Sequence, residues 1–321
     1  MKALVVRTGA LTLEEVPTPA AGDDCLVRVT MAGICGTDLQ ILEGYAGFSG
    51  IPGHEFVGVV ESAPAQDAHW IGRRVVGEIN VGCGRCAWCL TGVKEHCTDR
   101  SVVGIRHRSG AFAEYLVLPA TNLHHVPDTI DDRAAVFVEP VAAACRIFEQ
   151  IPVAPDSRVA IVGDGRMGLL VAQVVRTVAK QVTVFGRHAH KLATARSLGV
   201  TAVEARSASE VPSRFDIVVD VTGRPEGLVC ALRLVRPRGT VVMKSTFHGE
   251  APIESWPIVV DEVTLIGSRC GPFAPALELL ASGAVQVEPL IARVTTLADH
   301  ASAFADARTA LKVLFDCRNG V

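Results

Sequence analysis

The sequence predicts a two-domain α/β protein, in which an all-β N-terminal domain is followed by a parallel sheet with helices. Three observations support this prediction. The chain has 321 residues, which is too long for one ordinary hydrophobic core. Residues 1–127 contain short strand patterns broken by proline and glycine. From Arg158 to Gly267, strands alternate with helical stretches of roughly 10–15 residues, which is typical of βαβ units.

The composition of the chain argues against some classes of function. Apolar residues make up 49% of the chain, charged residues 20%, and the formal net charge is −3. This balance argues against nucleic acid or an anionic membrane as a partner. The N-terminus lacks the features of a signal peptide, and no apolar run approaches the ~20 residues that a membrane-spanning helix needs. We therefore expect a cytoplasmic protein that acts on a small molecule.

A glycine-rich stretch, GICGTDLQILEGYAGFSGIPGHEFVG, covers Gly33–Gly58. Its thiol, imidazole and carboxylate groups are ligand types that suit zinc, and a catalytic zinc keeps one position open. Cys35 and His54 are the predicted ligands, and Asp38 is suited to orient the imidazole through its second ring nitrogen. Thr37 would place a hydroxyl beside the open position. Either ligand alone could be an ordinary core or loop residue, but the cluster indicates a metal site.

Four cysteines in CGRCAWCLTGVKEHC form a second candidate metal site. Their spacings of 3, 3 and 8 residues in a glycine-containing loop allow tetrahedral closure on zinc. A closed four-thiolate site has no open position, so its predicted role is structural. A nucleic-acid-binding zinc ribbon is the competing interpretation, which the absence of a basic charge disfavours. The predicted ligands are Cys83, Cys86, Cys89 and Cys97.

The stretch RVAIVGDGRMGLLVAQVV (Arg158–Val175) contains a GxGxxG motif between a predicted strand and a predicted helix. In this setting the motif favours dinucleotide binding, because the glycines allow a tight turn and bring the pyrophosphate close to the helix N-terminus. The residues predicted to contact the cofactor here are Gly163, Gly165, Arg166, Met167 and Gly168.

The end of the next predicted strand indicates which cofactor binds. An NAD site places Asp or Glu about 20 residues after the glycine loop, where it bonds the ribose 2′-hydroxyl. This chain has Gly186, Arg187 and His188 there. Without the acid, a 2′-phosphate meets no repulsion, and Arg187 offers it a planar cationic group. The pattern favours NADP(H) over NAD(H), although Arg187 stacked on the adenine would leave the preference weak.

GICGTD followed by GHE, with the four-cysteine loop and the glycine motif, resembles the zinc-dependent medium-chain dehydrogenase/reductase family. That family includes alcohol, sorbitol, glucose and threonine dehydrogenases. The resemblance implies a GroES-like β-barrel catalytic domain over residues 1–150, with a structural zinc lobe at 83–97 and completion by residues 269–321. It also implies a doubly wound Rossmann domain over residues 151–268, and a homodimer or homotetramer.

The resemblance also implies the activity and further site residues. The expected reaction is hydride transfer between NADP(H) and an alcohol or polyol, or its carbonyl, with one catalytic and one structural Zn²⁺ per chain. Thr37 is implied to accept the substrate proton or to hydrogen-bond the resulting alkoxide. Relatives carry Cys or Glu as a distal zinc ligand in the segment around Glu139, so Glu139 is the expected third protein ligand and Glu55 its competitor. Arg269 is implied as a substrate or cofactor contact.

One departure from the family pattern leaves a role open. Members of the CGTDxH type have a proton-relaying His where this chain has Gln40, and an amide cannot carry the proton. The residues also leave open a biosynthetic carbonyl reductase working in the opposite direction. A third alternative is a catalytically silent NADPH-binding protein on the same scaffold. The substrate itself is not predicted.

Overall fold

The computed structural model describes residues 1–205, 214–246 and 250–318. The predicted ranges 151–268 and 269–321 therefore include some residues that lie outside the described part. The chain divides into two compact units, residues 1–139 with 291–321 and residues 140–290. The first is built on mainly antiparallel sheets and the second on a parallel sheet with helices, so the predicted fold class is confirmed.

Strands and helices follow one another in the order predicted for a β domain and a βαβ domain. Within the described residues, no helix combines the length and the apolar character needed to cross a bilayer. The strands are β1 (Lys2–Arg7), β2 (Ala10–Glu15), β3 (Cys25–Gly33), β4 (Glu55–Ser62), β5 (Arg74–Gly77), β6 (Asn80–Val81), β7 (Ser101–Val103), β8 (His107–Arg108), β9 (Tyr115–Leu118), β10 (Leu123–His125), β11 (Arg158–Val162), β12 (Gln181–Gly186), β13 (Thr201–Glu204), β14 (Phe215–Asp220), β15 (Val235–Met243), β16 (Thr264–Gly267), β17 (Ile291–Thr295) and β18 (Lys312–Asp316). The helices are α1 (Gly36–Leu42), α2 (Ala87–Leu90), α3 (Asp132–Ala135), α4 (Val138–Gln150), α5 (Arg166–Arg176), α6 (Ala189–Ser197), α7 (Pro225–Leu234), α8 (Trp256–Val260), α9 (Phe273–Ala281) and α10 (His300–Ala307).

The main sheet of the first unit has the strand order β10-β5-β4-β3-β18-β17, and β9 also pairs with β3. The central strand β3 alternates at its start, because Val27 is buried while Arg28 pairs with Glu61 at 2.6 Å. The C-terminal strand β18 pairs antiparallel with β3, which places Leu314 opposite Gly33. The last strands of the chain therefore complete the sheet that carries the predicted metal loop.

An aromatic cluster fills the core of the first unit beside this sheet. Phe112 makes edge-to-face contacts with Phe304 and Phe315, at ring-centroid distances of 6.0 and 5.3 Å. Such contacts add to the free energy gained by burying the rings. The cluster joins residues far apart in the sequence, and it packs beside the segment that leads to His54.

The second unit contains the parallel sheet β13-β12-β11-β14-β15-β16. The central strand β11 is buried at four of its five residues, as expected for a strand covered on both faces. The strand order reverses direction between β11 and β14. In doubly wound sheets this switch point opens a crevice at the carboxyl ends of the strands, where ligands bind.

The bounds of the two units differ from the predicted domain bounds. Residues 140–150 and 269–290 belong to the second unit, not to the first. The side chain of Gln150 donates to the last carbonyl of β16 at 2.9 Å. Gln173 and Gln286 exchange two hydrogen bonds, at 3.1 and 2.8 Å. These contacts between distant parts of the chain were not visible in the sequence pattern.

A helical connection over Asp131–Gln150 joins the two units, and it breaks at Val136–Phe137, between α3 and α4. Pro140 lies in the first turn of α4, where a backbone N–H has no partner within the helix, so proline is tolerated there.

Candidate active site and metal centres

The first part of the predicted metal loop is fixed by a helix cap. Cys35 is the N-cap residue of α1, and Asp38, three residues later, accepts a hydrogen bond from the Cys35 backbone N–H at 2.7 Å. Thr37 places its hydroxyl oxygen 3.9 Å from the Cys35 sulfur. The short sequence CGTD therefore sets the positions of the thiol and the hydroxyl locally.

The second part of the loop reaches the first through sheet pairing. Glu55 begins β4 opposite Gly33 of β3, and His54 precedes it directly. Gly53 has φ +96°, and a side chain there would meet a neighbouring phenylalanine ring at 2.6 Å, so only glycine fits. As a result, ligand atoms of Cys35, His54 and Glu55 all lie within 4.8 Å of one another.

The buried His54 ring lies among anionic groups. Its Nδ1 is 3.4 Å from Asp38 Oδ1, and neither atom has a hydrogen-bond partner in the described part of the chain. Burial alone would lower the pKa of His54, but the nearby charges of Asp38 and Cys35 raise it well above its usual value. The same groups would attract a cation such as Zn²⁺. With Nδ1 facing Asp38, Nε2 of His54 is the nitrogen available to a metal.

Glu139, the expected third ligand, does not belong to this group of ligand atoms. It is half-buried in the first turn of α4. The carboxylate that the structure brings to Cys35 and His54 is that of Glu55.

Lys312, the first residue of β18, is a site residue that the sequence analysis missed. It is completely buried and forms an ion pair with Glu55. Its ammonium also lies 5.5 Å from the centroid of the Phe137 ring. Burial lowers the pKa of Lys312 to about 8, although the nearby charges of Cys35 and Asp38 oppose this shift. The sequence contains one sign of this buried position: a lysine stands at the start of the otherwise apolar run KVLF.

The four cysteines of the second candidate site come together as predicted. Their sulfur atoms lie within 4.8 Å of one another, and the Cys83 backbone N–H donates to the Cys97 sulfur at 3.4 Å. Backbone hydrogen bonds from Arg85 and Cys86 lower the pKa of Cys83 to about 6, whereas burial raises that of Cys89 to about 11. Four thiols this close, with no disulfide between them, fit one tetrahedral zinc ion.

The glycine loop of the second unit has the geometry that a pyrophosphate needs. Gly163 has φ +123°, and a Cβ on Gly168 would lie 2.0 Å from the Gly163 carbonyl oxygen. Gly165 is the N-cap of α5, has open space around its α-carbon, and leaves the helix without a side-chain cap. Arg166 and Met167 follow as the first residues of the helix. A phosphate can therefore approach the backbone amides at this helix N-terminus.

At the end of β12, Gly186 is buried while Arg187 and His188 are exposed. The backbone N–H groups of Arg187 and His188 both donate to the Asp164 carboxylate, each at 2.7 Å. Asp164 is a second residue that the sequence analysis missed, because it occupies a variable position of the GxGxxG motif. The sequence does contain a hint of this role: the glycine loop carries an acid, whereas residue 186, where an NAD site has its acid, is glycine.

The predicted residue Arg269 and two further polar residues, Lys244 and His124, have ordinary environments. Arg269 is exposed beyond the end of β16. The Lys244 ammonium donates to the Ala143 carbonyl at 2.5 Å and to the Arg269 carbonyl at 3.2 Å, which gives it a structural role. His124 lies 2.8 Å from Glu78, so it is engaged away from the metal loop.

Comparison with family models identifies the class of protein. The model described as "Alcohol dehydrogenase GroES-like domain" matches residues 21–128, and the model described as "Zinc-binding dehydrogenase" matches residues 167–282. The chain belongs to the zinc-dependent medium-chain dehydrogenase family and is an alcohol dehydrogenase-like oxidoreductase. The resemblance of its sequence motifs to this family is thereby confirmed.

Individual relatives cover nearly the whole chain. An L-threonine 3-dehydrogenase of Streptomyces coelicolor is 34% identical and aligns over 98% of this chain and 99% of its own length. A 2-dehydro-3-deoxy-L-galactonate 5-dehydrogenase of Pseudoalteromonas atlantica is 30% identical, over 93% of each chain.

Solved structures give the same result. A zinc-binding dehydrogenase of Sinorhizobium meliloti bound to NADP has a TM-score of 0.91 and 31% identity, over 98% of both chains. An Escherichia coli alcohol dehydrogenase complexed with NADH has a TM-score of 0.90 and 27% identity, over 98% of this chain and 99% of that one. Galactitol-1-phosphate dehydrogenase of Escherichia coli has a TM-score of 0.90 and 27% identity, over 98% of this chain and all of its own.

The ion pair of Lys312 generates the first prediction. Replacing Lys312→Met leaves the buried Glu55 carboxylate without its counter-charge, and we expect a loss of about 3–5 kcal/mol in the free energy of unfolding. Urea titration in the presence of a chelator measures it. Lys180→Met, which removes an exposed lysine, should change this free energy by no more than about 0.5 kcal/mol. Equal stability of the Lys312 variant and the unmodified protein would show that the pair does not stabilise the fold.

Proposed function

We propose that the protein is a zinc- and NADP(H)-dependent dehydrogenase whose substrate is an alcohol that also carries an anionic group. One observation carries the proposal: the grouped ligand atoms of Cys35, His54 and Glu55 lie beside the Thr37 hydroxyl. A bound zinc would polarise the substrate oxygen at this place, and NADP⁺ would accept the hydride. The chain's own residues supply the metal donors, the proton-handling hydroxyl and the dinucleotide loop.

The roles of the residues follow from their contacts. Asp38 fixes both metal donors, because one carboxylate oxygen accepts from the Cys35 backbone and the other faces the His54 ring. Thr37 hydrogen-bonds the substrate hydroxyl and takes part in removing its proton. Gln40 cannot pass that proton on, so water or a hydroxyl of the substrate completes the relay.

We infer that Glu55, and not Glu139, is the third protein donor to the catalytic zinc, since only Glu55 lies in the group with Cys35 and His54. In this arrangement Lys312 limits how strongly Glu55 can bind the metal, because both cations share one carboxylate. The four-cysteine lobe holds a second, structural zinc.

Zinc content tests this assignment. We expect two zinc ions per chain in the unmodified protein, and about one after Glu55→Gln, because an amide oxygen is a weak neutral donor. Glu139→Gln is the matched control and should keep both. Elemental analysis of dialysed protein gives the stoichiometry. Loss of zinc from the Glu139 variant alone would reverse the assignment.

A cavity of about 630 Å³ in the first unit supports the anionic character of the substrate. Its walls are the segments Ala46–Gly50 and Ile105–Ser109. The residues that directly follow these two segments pair through their backbones, since the Ala111 N–H donates to the Gly53 carbonyl at 2.9 Å. His54 follows Gly53, so the cavity walls lead directly to the metal loop.

The charge in this cavity is positive. None of the described residues that line it is acidic, whereas Arg106, His107 and Arg108 contribute basic groups. Arg108 is engaged with Asp24 at 2.8 Å. Arg106 is exposed, and no partner for its side chain is found among the described residues. Arg106 is therefore the group available to a carboxylate or phosphate.

Three of the relatives named above are consistent with this substrate class. Their names specify threonine, a deoxygalactonate and galactitol 1-phosphate, which each carry an alcohol and a carboxylate or phosphate. We extend that chemistry to this chain: a polyol or hydroxy compound bearing a carboxylate or phosphate is the proposed substrate.

The role of Arg106 gives a direct prediction. Arg106→Ala should raise KM for a sugar acid or polyol phosphate by about tenfold or more and leave an uncharged polyol unaffected, since one charge-assisted contact is lost. Steady-state kinetics with paired charged and uncharged substrates measures the effect. Arg7→Ala, which removes an exposed arginine outside the cavity, is the control. An equal effect on both substrate types would contradict the proposal.

The cofactor and the catalytic metal are tested together by nicotinamide absorbance. We expect kcat/KM with NADP⁺ to exceed that with NAD⁺ by more than about tenfold, owing to the cationic end of β12. Cys35→Ala and His54→Ala should abolish turnover while NADPH binding survives. A preference of the same size for NAD⁺ would contradict the cofactor assignment. Turnover that persists in both variants would contradict the zinc role and favour another mechanism.

The competing functions are separated by the same assays. A biosynthetic reductase would show much faster turnover from the carbonyl side with NADPH. A silent NADPH-binding protein would bind the cofactor without turnover on any substrate class. The homodimer or homotetramer stays a prediction of the family resemblance.

A further inference from the structure

We propose that Asp164 is the positioning residue that makes the dinucleotide site select a 2′-phosphate. It fills the place next to Gly186 and holds the turn at Arg187 and His188, so that their side chains form the phosphate site. The inference rests on the NADP(H) preference proposed above. It adds that Arg187 alone does not produce that preference.

The Asp164 carboxylate is fully engaged by this turn. Its Oδ2 accepts from the backbone N–H groups of Arg187 and His188, each at 2.7 Å. Its Oδ1 lies 2.9 Å from the His188 ring nitrogen Nδ1. Burial by itself would raise the pKa of Asp164, but these hydrogen bonds outweigh it and keep the pKa below its usual value. The group is therefore an anion that already accepts hydrogen bonds from three N–H groups of the protein.

This engagement separates Asp164 from the acid of an NAD site. The acid of an NAD site offers its oxygens to the ribose hydroxyl. The Asp164 side chain is only 8% exposed, and it would have to give up protein hydrogen bonds to bind a ribose. Its negative charge is also compensated by the N–H donors around it, which weakens any repulsion of a 2′-phosphate.

Close packing explains why residue 186 is glycine. A Cβ at Gly186 would lie 2.4 Å from both Cβ and Oδ2 of Asp164, closer than any side chain can be placed. An acid at residue 186 and an acid at residue 164 therefore exclude each other in this fold. The carboxylate of this region stands in the glycine loop and not at the end of β12, and it lies beneath the turn that it binds.

Because the Asp164 carboxylate lies beneath the turn, the outer surface of the turn carries the Arg187 guanidinium and the His188 imidazole. Arg187 is exposed, and no partner for its side chain is found among the described residues. The His188 ring is held by Asp164 and is 51% exposed. A phosphate at this turn would meet a guanidinium and a fixed imidazole, whose positions both depend on the Asp164 hydrogen bonds.

Dissociation constants for NADPH and NADH, measured by titration calorimetry on the full chain, test the inference without using activity. Asp164→Ala should raise the Kd for NADPH by about tenfold or more and change that for NADH by less than about threefold. Binding of 2′,5′-ADP relative to 5′-ADP should fall in parallel. The isosteric Asp164→Asn, measured in the same way, covers the case in which the alanine variant does not fold.

A transplant variant makes the test stronger. The double variant Asp164→Gly with Gly186→Asp removes the Cβ and carboxylate atoms that a side chain at residue 186 would meet. It returns an acid to the end of β12, so it should prefer NADH. Asp216→Asn is the control, because Asp216 is a hydrogen-bonded acid at the opposite end of the sheet, paired with Arg236 at 2.5 Å. It should leave the ratio of the two constants unchanged.

The outcomes separate the inference from the proposed function. If the unmodified protein prefers NADPH and both Asp164 variants keep the same ratio, the inference is overturned and the NADP(H) assignment stands. If the variants lose NADH affinity more than NADPH affinity, Asp164 contacts the ribose and the inference is also overturned. If the unmodified protein prefers NADH, the cofactor assignment itself fails, and the inference fails with it.

Discussion

The burial of ionisable groups around the Cys35 loop is the constraint on which the first unit depends. Asp38, His54, Glu55 and Lys312 are at most 3% exposed. Unpaired charge is costly in such surroundings, so each group must face a partner of opposite charge or a hydrogen-bond donor. The partners come from α1, from the start of β4 and from β18, which the order of the main sheet makes neighbours. The sheet therefore assembles the metal donors and their counter-charge in one step.

The second unit uses a buried acid in a similar way. Asp164 binds the backbone of the following turn, as Asp38 binds the backbone of Cys35. In both places the carboxylate accepts hydrogen bonds from the backbone, and neighbouring side chains are the groups that would contact a ligand. We expect that removing such an acid changes the geometry of the site but leaves in place the side chains that would contact the metal or the cofactor. This is why the two acids are better described as positioning residues than as binding residues.

The proposed substrate class follows from a charge pattern in which the metal loop and the cavity complement each other. The metal site is rich in acids, whereas the nearby cavity has basic groups and no acid among its described lining residues. A substrate with a neutral hydroxyl at one end and an anionic group at the other matches both parts. Electrostatic complementarity of this kind orients a ligand as well as binding it.

Short-range spacing was enough to predict the fold class, the two cysteine-containing clusters of candidate metal ligands and the glycine loop. CGTD caps a helix, four cysteines close a small loop, and GDGRMG joins a strand to a helix within a few residues. Four features emerge only in the folded chain: the pairing of Lys312 with Glu55, the grouping of Glu55 with Cys35 and His54, the boundaries of the two units, and the packing of Asp164 beside Gly186. These contacts join residues from 20 to more than 200 positions apart, and no local pattern records which distant strand becomes a neighbour in the sheet.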